Sequence, residues 1–149
     1  MIKKIIKILL VVFFMSIIFL FSSDTGEESS KKSDGIIIHT VEILLGRKLN
    51  EQEKTYYVDK YVVLIRKMAH FTIYFLLSIS FISLLSEYYP ITYKMVFYTL
   101  LFIFLYACSD EIHQLFSEGR TFKLFDIFID CIGGFLGSNL YYLFRRRRV

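Results

Sequence analysis

Four apolar segments, each about as long as a membrane-spanning helix, make up half of this 149-residue chain. They cover residues 5–21, 68–85, 91–108 and 124–144, and a helix needs about 20 apolar residues to cross the hydrocarbon layer. The hydrophobic fraction of 55%, with a single proline, exceeds what a soluble domain of this size needs for its core. We therefore predict an all-α fold, a small four-helix transmembrane bundle that forms one membrane domain over residues 1–149.

The first apolar segment also has features of a secretory signal peptide, because Lys3, Lys4 and Lys7 give it a basic start. Its apolar run, however, is longer than the usual signal core of about 7 to 15 residues. Neither an A-x-A cleavage site nor a lipobox cysteine follows it. We therefore expect a retained anchor.

Basic residues flank the first and last segments and predict their orientation. Lysines precede the first segment, and a run from Arg145 to Arg148 follows the last. Since Lys and Arg stay on the cytoplasmic side, both termini are expected inside, as an even number of spans requires. The arginine run would also suit nucleic acid, but beside a span it is expected to contact anionic membrane lipid instead. We expect no nucleic-acid partner.

With this topology, segment 22–67 is an extracytoplasmic loop between the first two spans. Residues 22–35 are rich in serine and in charges of both signs, which predicts a solvated loop. A short amphipathic helix is expected over 35–45, lying on the membrane surface or, as we favour, packed as a cap over the bundle. Its apolar positions at helical spacing are Ile37, Val41, Leu44 and Leu45.

The start of the second span, the end of the third and the start of the fourth all lie at the outer face in this topology. Ionisable groups concentrate in these stretches, although a charge at the centre of a span costs about 2.5 to 3.5 kcal/mol on insertion scales. We call the set the polar cluster. Its members are Lys67, His70, Tyr74, Asp110, Glu111, Gln114, Arg120, Asp126 and Asp130.

Asp130 is the member that most needs a partner. The apolar run after it, 131–144, has only 14 residues and is too short to cross alone. Asp130 should therefore lie inside the outer leaflet and take a cation from Lys67, His70 or Arg120. The polar cluster is then either a ligand-binding site or a set of ion pairs that fastens three helices together, and its concentration on one face favours a site.

Gly119-Arg120 combines a residue suited to a tight turn with a guanidinium suited to carboxylate or phosphate. Alternatively, Arg120 holds Glu111 or Asp126 at the membrane interface. A second glycine pair, Gly133 and Gly137, has the GxxxG spacing that allows two helices to approach closely. Packing within the chain is favoured over dimerisation, and the oligomeric state is left open.

Patterns for other chemistry are weak. A metal site would require His70 and His113 to converge with carboxylates in space, since the sequence lacks a zincin-type spacing. We expect no metal and no cofactor. Cys108 and Cys131 lie near the ends of neighbouring spans, where they either form a disulfide or serve as small core residues.

The polar residues form four elements in a fixed order. These are Arg66-Lys67-x-x-His70-Phe71-x-x-Tyr74, Asp110-Glu111-x-x-Gln114-x-Phe116, Gly119-Arg120, and Asp126-x-x-x-Asp130-x-x-Gly133 with Gly137. Together with Ser22-Ser23 after the first span, this order resembles the VanZ-like family of bacterial membrane proteins. The chain departs from the family pattern at Asp130, where Asn is more usual, and at His113.

The resemblance implies a multi-pass protein of the bacterial cytoplasmic membrane with a role in the cell envelope. The founding relative lowers sensitivity to the glycopeptide antibiotic teicoplanin without remodelling the peptidoglycan precursor. A shared fold does not supply a biochemical mechanism.

Three classes of function therefore compete. In the first, an envelope accessory protein binds an anionic or polar group of a cell-wall intermediate, a lipid or the glycopeptide, with Lys67, His70 and Arg120 as donors. In the second, a membrane enzyme acts on a lipid-linked or cell-wall substrate at the outer leaflet, with His70 or Asp130 as general base. The third, a transporter, needs polar groups at mid-depth, which the spans largely lack. We favour the first and keep the enzyme as the alternative.

Overall fold

The computed structural model describes residues 1–146. Four of its helices are each long and apolar enough to cross a membrane, which confirms the predicted all-α fold with four spans. Arg147 and Arg148, the end of the predicted basic run, lie outside the described residues. The helices are α1 (Ile2–Ser23), α2 (Gly26–Leu45), α3 (Glu51–Leu85), α4 (Tyr93–Gln114) and α5 (Leu124–Arg146), and all but α2 are candidate spans.

The segment after α1 is helical, so the solvated loop predicted over 22–35 is wrong. α2 begins at Gly26 because Thr25 and Glu28 form a capping box. The Glu28 N–H donates to the Thr25 hydroxyl at 3.2 Å, and the Thr25 N–H donates to the Glu28 carboxylate at 3.0 Å. The polar residues that suggested a loop form the exposed side of this helix, while Ser33 and Ile37 are buried.

α3 also begins earlier than the predicted second span, at Glu51 rather than at residue 68. A second capping box starts it, in which Asn50 and Glu53 exchange hydrogen bonds of 2.8 and 3.0 Å. Its 35 residues correspond to about 52 Å at 1.5 Å per residue, well beyond a hydrocarbon layer of about 30 Å. The first turns of α3 therefore continue beyond the bilayer core and form an antiparallel pair with α2.

α3 and α5 run parallel and form the most extensive helix contact of the bundle. Gly133 and Gly137 make it close: a Cβ at Gly133 would overlap the Phe71 carbonyl oxygen, and one at Gly137 would overlap the Phe75 carbonyl oxygen and the Ser78 hydroxyl. The GxxxG spacing thus serves packing between two helices of the same chain.

α1 packs against both α3 and α4. The Tyr106 hydroxyl, on α4, donates to the Met15 carbonyl of α1 at 2.7 Å. Cys108 and Cys131 are free thiols that pack against the central apolar core, the second of the two roles predicted for them. The buried residues of this core are Val11, Ile18, Tyr74, Leu77, Ile103, Ala107 and Ile127.

A methyl group added at the α3–α5 contact should separate the two helices. We expect Gly137→Ala to lower the free energy of unfolding by about 1–3 kcal/mol, because the new methyl group overpacks the contact. Chemical denaturation of the purified protein in detergent measures it. The matched control is Gly35→Ala in α2, whose added Cβ meets no atom of residues 1–146 within 4 Å; it should gain about 0.5–1 kcal/mol. Equal losses from the two variants would contradict the packing role.

Candidate functional site

The structure brings most of the polar cluster together at one end of the bundle, where α1 and α4 end and α5 begins. We call this the polar end. Lys67 and His70 on α3 face Asp126 and Asp130 on α5, with 3.2 Å between the Lys67 ammonium and the Asp126 carboxylate. His70 Nδ1 lies 3.6 Å from Asp130 Oδ1. The parallel packing of α3 on α5 therefore pairs two basic residues with two acidic residues in register.

Asp110 connects α4 to the end of α1. Its carboxylate accepts hydrogen bonds from the Ser22 hydroxyl at 2.5 Å and from the Gln114 side-chain amide at 3.1 Å, and all three residues are buried. Ser22 was noted only as part of the family pattern. Its role could not be predicted from spacing, because the contact depends on α1 ending beside α4.

Glu111 is only 1% exposed, yet it forms no ion pair with another of residues 1–146. One of its carboxylate oxygens accepts from the backbone N–H of Lys123 at 2.8 Å. The other has no hydrogen-bond partner among residues 1–146. The structure thus buries three carboxyl groups at the polar end, those of Asp110, Glu111 and Asp130.

Arg120 has a different partner from those predicted. Instead of holding Glu111 or Asp126, its guanidinium donates to the Phe21 carbonyl at 2.9 Å. The Ser117 hydroxyl donates to the next carbonyl of α1, that of Ser22, at 2.8 Å. The loop between α4 and α5 thus folds back over the end of α1 and satisfies carbonyls that the helix leaves free.

The Arg120 guanidinium is partly buried and only partly hydrogen-bonded within the described residues. Burial lowers the pKa of its guanidinium and the positive charge of Arg66 lowers it further, while the nearby carboxyl groups of the site act in the opposite direction. Its Nε, buried as well, has no hydrogen-bond partner in the described part of the chain. The preceding Gly119 adopts φ 73° and packs against Gly26 at the start of α2, which fixes the loop in place.

Tyr74 lies one helical turn beyond His70 and is fully buried. Its ring belongs to the apolar core and lies 6.3 Å from that of Tyr106. The hydroxyl has no hydrogen-bond partner among the described residues. Tyr74 therefore joins the core to the buried edge of the polar cluster.

Within residues 1–146, two clefts at the polar end are lined by both Arg66 and His70. The first, the α3–α5 cleft, has a volume of about 80 Å³. The second, the α2–α3 cleft, has a volume of about 120 Å³. Polar residues of the α3–α5 cleft are Arg66, Lys67, His70, Gln114, Lys123 and Asp126. Charged and titratable residues of the α2–α3 cleft are Asp24, Lys32, Arg66, His70 and Arg120.

A family model described as VanZ/LLP1 matches residues 7–145. The chain belongs to the VanZ/LLP1 family. This confirms the family predicted from the four polar elements. Comparison with curated proteins and with solved structures finds no match. In this VanZ/LLP1 protein, the polar elements that carried the resemblance are the ones that contribute residues to the two clefts and the buried carboxyl groups.

Removing the Ser22 hydroxyl should weaken the polar end. We expect Ser22→Ala to cost about 1–3 kcal/mol of unfolding free energy, because buried Asp110 loses a hydrogen-bond donor. Denaturation in detergent measures the loss. The neighbouring Ser23 is exposed, and Ser23→Ala should change stability by no more than about 0.5 kcal/mol. A Ser22→Ala variant as stable as the Ser23→Ala variant would show that the Asp110 contact contributes little.

Proposed function

We propose that this VanZ/LLP1 protein lies in the bacterial cytoplasmic membrane with both termini inside and its polar end outside. There it binds an anionic group, a phosphate or carboxylate, of a lipid or a lipid-linked cell-wall intermediate. In this envelope accessory role it lowers sensitivity to teicoplanin.

The observation that carries the proposal is the set of basic side chains lining the two clefts. Arg66 lines both, and its side chain takes part in no hydrogen bond or ion pair with residues 1–146. Lys67 and Lys123 join it in one cleft, and Lys32 and Arg120 in the other. Guanidinium and ammonium groups are the usual donors to phosphate and carboxylate oxygens.

The size of the clefts supports a small anionic group rather than the antibiotic itself. Volumes of about 80 and 120 Å³ lie well below the roughly 300–1,000 Å³ of sites that enclose a drug-sized ligand. A headgroup phosphate or carboxylate fits such a space, whereas a whole glycopeptide does not. Lower sensitivity to teicoplanin would then follow from a changed envelope lipid or precursor, not from capture of the drug.

The basic residues near the two chain ends support the proposed orientation. Lys7 pairs with Glu87 at the end of α3, and the Lys4 ammonium lies 4.2 Å from the centre of the Tyr88 ring. The lysine-rich start of the chain is therefore at the opposite end from the polar cluster, as Arg145 also is at the end of α5. Positive residues beside spans remain cytoplasmic.

This orientation can be measured in intact cells by cysteine labelling, in a background with Cys108→Ala and Cys131→Ala. Phe116, beside the polar end, is 83% exposed, and Tyr89, at the opposite end, is 63% exposed. A membrane-impermeant maleimide should label Phe116→Cys in intact cells and label Tyr89→Cys only after lysis. The reverse pattern would place the clefts in the cytoplasm and would contradict an outer-face role.

A membrane enzyme is the second candidate, favoured by one observation. His70 lines both clefts and lies beside buried Asp130, an arrangement in which a carboxylate orients an imidazole as general base. Arg66 would then stabilise negative charge that develops on the substrate. Turnover of a lipid-linked substrate by the purified protein separates this candidate from simple binding.

Teicoplanin susceptibility tests the accessory role. In a deletion strain, the wild-type gene should raise the inhibitory concentration, and Arg66→Gln and His70→Ala should abolish this rise, because each removes a donor shared by the two clefts. Arg120→Ala should also abolish the rise, but this substitution removes the hydrogen bond to the Phe21 carbonyl at the end of α1 as well. The control is Lys31→Gln, since Lys31 is 71% exposed on α2 and should leave the rise intact.

Membrane levels of each variant must match wild type for this comparison. Variants as protective as wild type would mean that the polar cluster only fastens helices. A wild-type gene without effect would mean that the resistance role does not extend to this member.

Lipid binding is measured directly by native mass spectrometry. Wild type should retain phosphatidylglycerol in preference to phosphatidylcholine, and Arg66→Gln should lose that preference. Equal retention of both lipids by wild type would refute anion binding.

A further inference from the structure

Three helices bring one imidazole and two carboxylates to a single point beneath the clefts. His70 of α3, Asp110 of α4 and Asp130 of α5 each place one ligand atom so that all three atoms lie within 4.8 Å of one another. Asp110 follows His70 by 40 positions and Asp130 follows Asp110 by 20, and the three belong to no common motif, so spacing along the chain does not reveal them. We propose that they bind a divalent transition-metal ion, with Zn²⁺ as the best match.

Asp130 provides the strongest independent support for a bound ligand. It is 0% exposed, and neither of its carboxylate oxygens has a hydrogen-bond partner among residues 1–146. His70 Nδ1, the nearest basic atom, also lacks a hydrogen-bond partner there. Buried polar atoms are rarely left unpaired in native proteins. A carboxylate and an imidazole nitrogen that face each other without a hydrogen bond can both be satisfied by one metal ion.

The distance between His70 Nδ1 and Asp130 Oδ1 suits two ligands of one metal ion better than a hydrogen bond. His70 Nδ1 and Asp130 Oδ1 are 3.6 Å apart, beyond the usual N–H···O range of about 2.7–3.2 Å. Two ligand atoms bound to one tetrahedral Zn²⁺ at about 2.0–2.2 Å lie about 3.4 Å from each other. The observed separation is therefore close to the one that a shared ion requires.

The charge of the polar end also favours a divalent cation. Asp110, Glu111 and Asp130 are all buried, and no ion pair within residues 1–146 reaches Asp110 or Glu111. A buried carboxylate must be neutralised by a proton, a basic group or a metal. A divalent ion bound at His70, Asp110 and Asp130 would offset two of these negative charges at once.

The surroundings of Asp110 resemble the support that metal ligands usually have. Its two oxygens accept from Ser22 and Gln114, which orient the carboxylate, and lone pairs remain for a metal. One imidazole and two carboxylates form a mixed nitrogen and oxygen set, which suits Zn²⁺ better than the all-oxygen sets typical of Ca²⁺ and Mg²⁺. His70 and Gln114 line the α3–α5 cleft, so the cleft offers an entry route.

Metal binding is measured on the full-length protein in zwitterionic detergent, first stripped with a chelator, by competition for Zn²⁺ with a chromophoric chelator. Wild type should bind one Zn²⁺ per chain. Asp130→Asn should raise the Kd at least tenfold, because it removes a charged ligand. Asp59→Asn is the matched control: Asp59 is exposed on α3, about three turns before His70, and is outside the clefts and the three ligands, so its Kd should match wild type.

Wild-type protein that binds no Zn²⁺ would overturn the proposal, as would equal affinities of Asp130→Asn and Asp59→Asn. If Asp130→Asn does not fold, Co²⁺ bound to wild type provides a second measurement. Its visible absorption should show a low-symmetry nitrogen and oxygen site that His70→Gln abolishes, and an unchanged spectrum would also refute the site. The proposal goes beyond anion binding and does not depend on it, because these measurements contain no anionic lipid.

Discussion

The close parallel contact between α3 and α5 is the constraint on which the polar end depends. Gly133 and Gly137 let the backbones approach so closely that a methyl group at either position would overlap backbone oxygens of α3. This contact sets the register that places Lys67 opposite Asp126 and His70 opposite Asp130. A helix pair held further apart would leave Asp130 beside lipid, where a carboxylate is costly. The small residues of α5 and the charged residues of the site are therefore parts of one arrangement.

The loop between α4 and α5 connects this helix pair to α1 and α2. Arg120 and Ser117 donate to carbonyls at the end of α1, and the Glu118 carbonyl accepts from the N–H of Gly26 at the start of α2. These contacts provide hydrogen-bond partners for carbonyl and N–H groups that the helix ends leave free. As a result, the start of α2 is held at the polar end, where its residues line the α2–α3 cleft.

The spans and the residues of the polar cluster could be predicted from sequence, because bilayer thickness sets helix length and because ionisable residues are rare in spans. The start of α2 could not be predicted from charge content. Thr25 and Glu28 decide it through hydrogen bonds that a serine-rich composition obscures. The partner of Arg120 was also missed, since a carbonyl at the end of another helix leaves no mark in the sequence.

The two proposals for the polar end are physically linked. The clefts that would bind an anion are separated from buried Asp110 and Asp130 by the side chains of Gln114 and His70. Like charges about 6 Å apart repel by about 3 kcal/mol at an effective dielectric constant of about 20. An anion would therefore be excluded from the α3–α5 cleft if these carboxylates were charged and uncompensated. A bound divalent ion would cancel these two charges and let Arg66, Lys67 and Lys123 act on a phosphate or carboxylate without repulsion from Asp110 and Asp130.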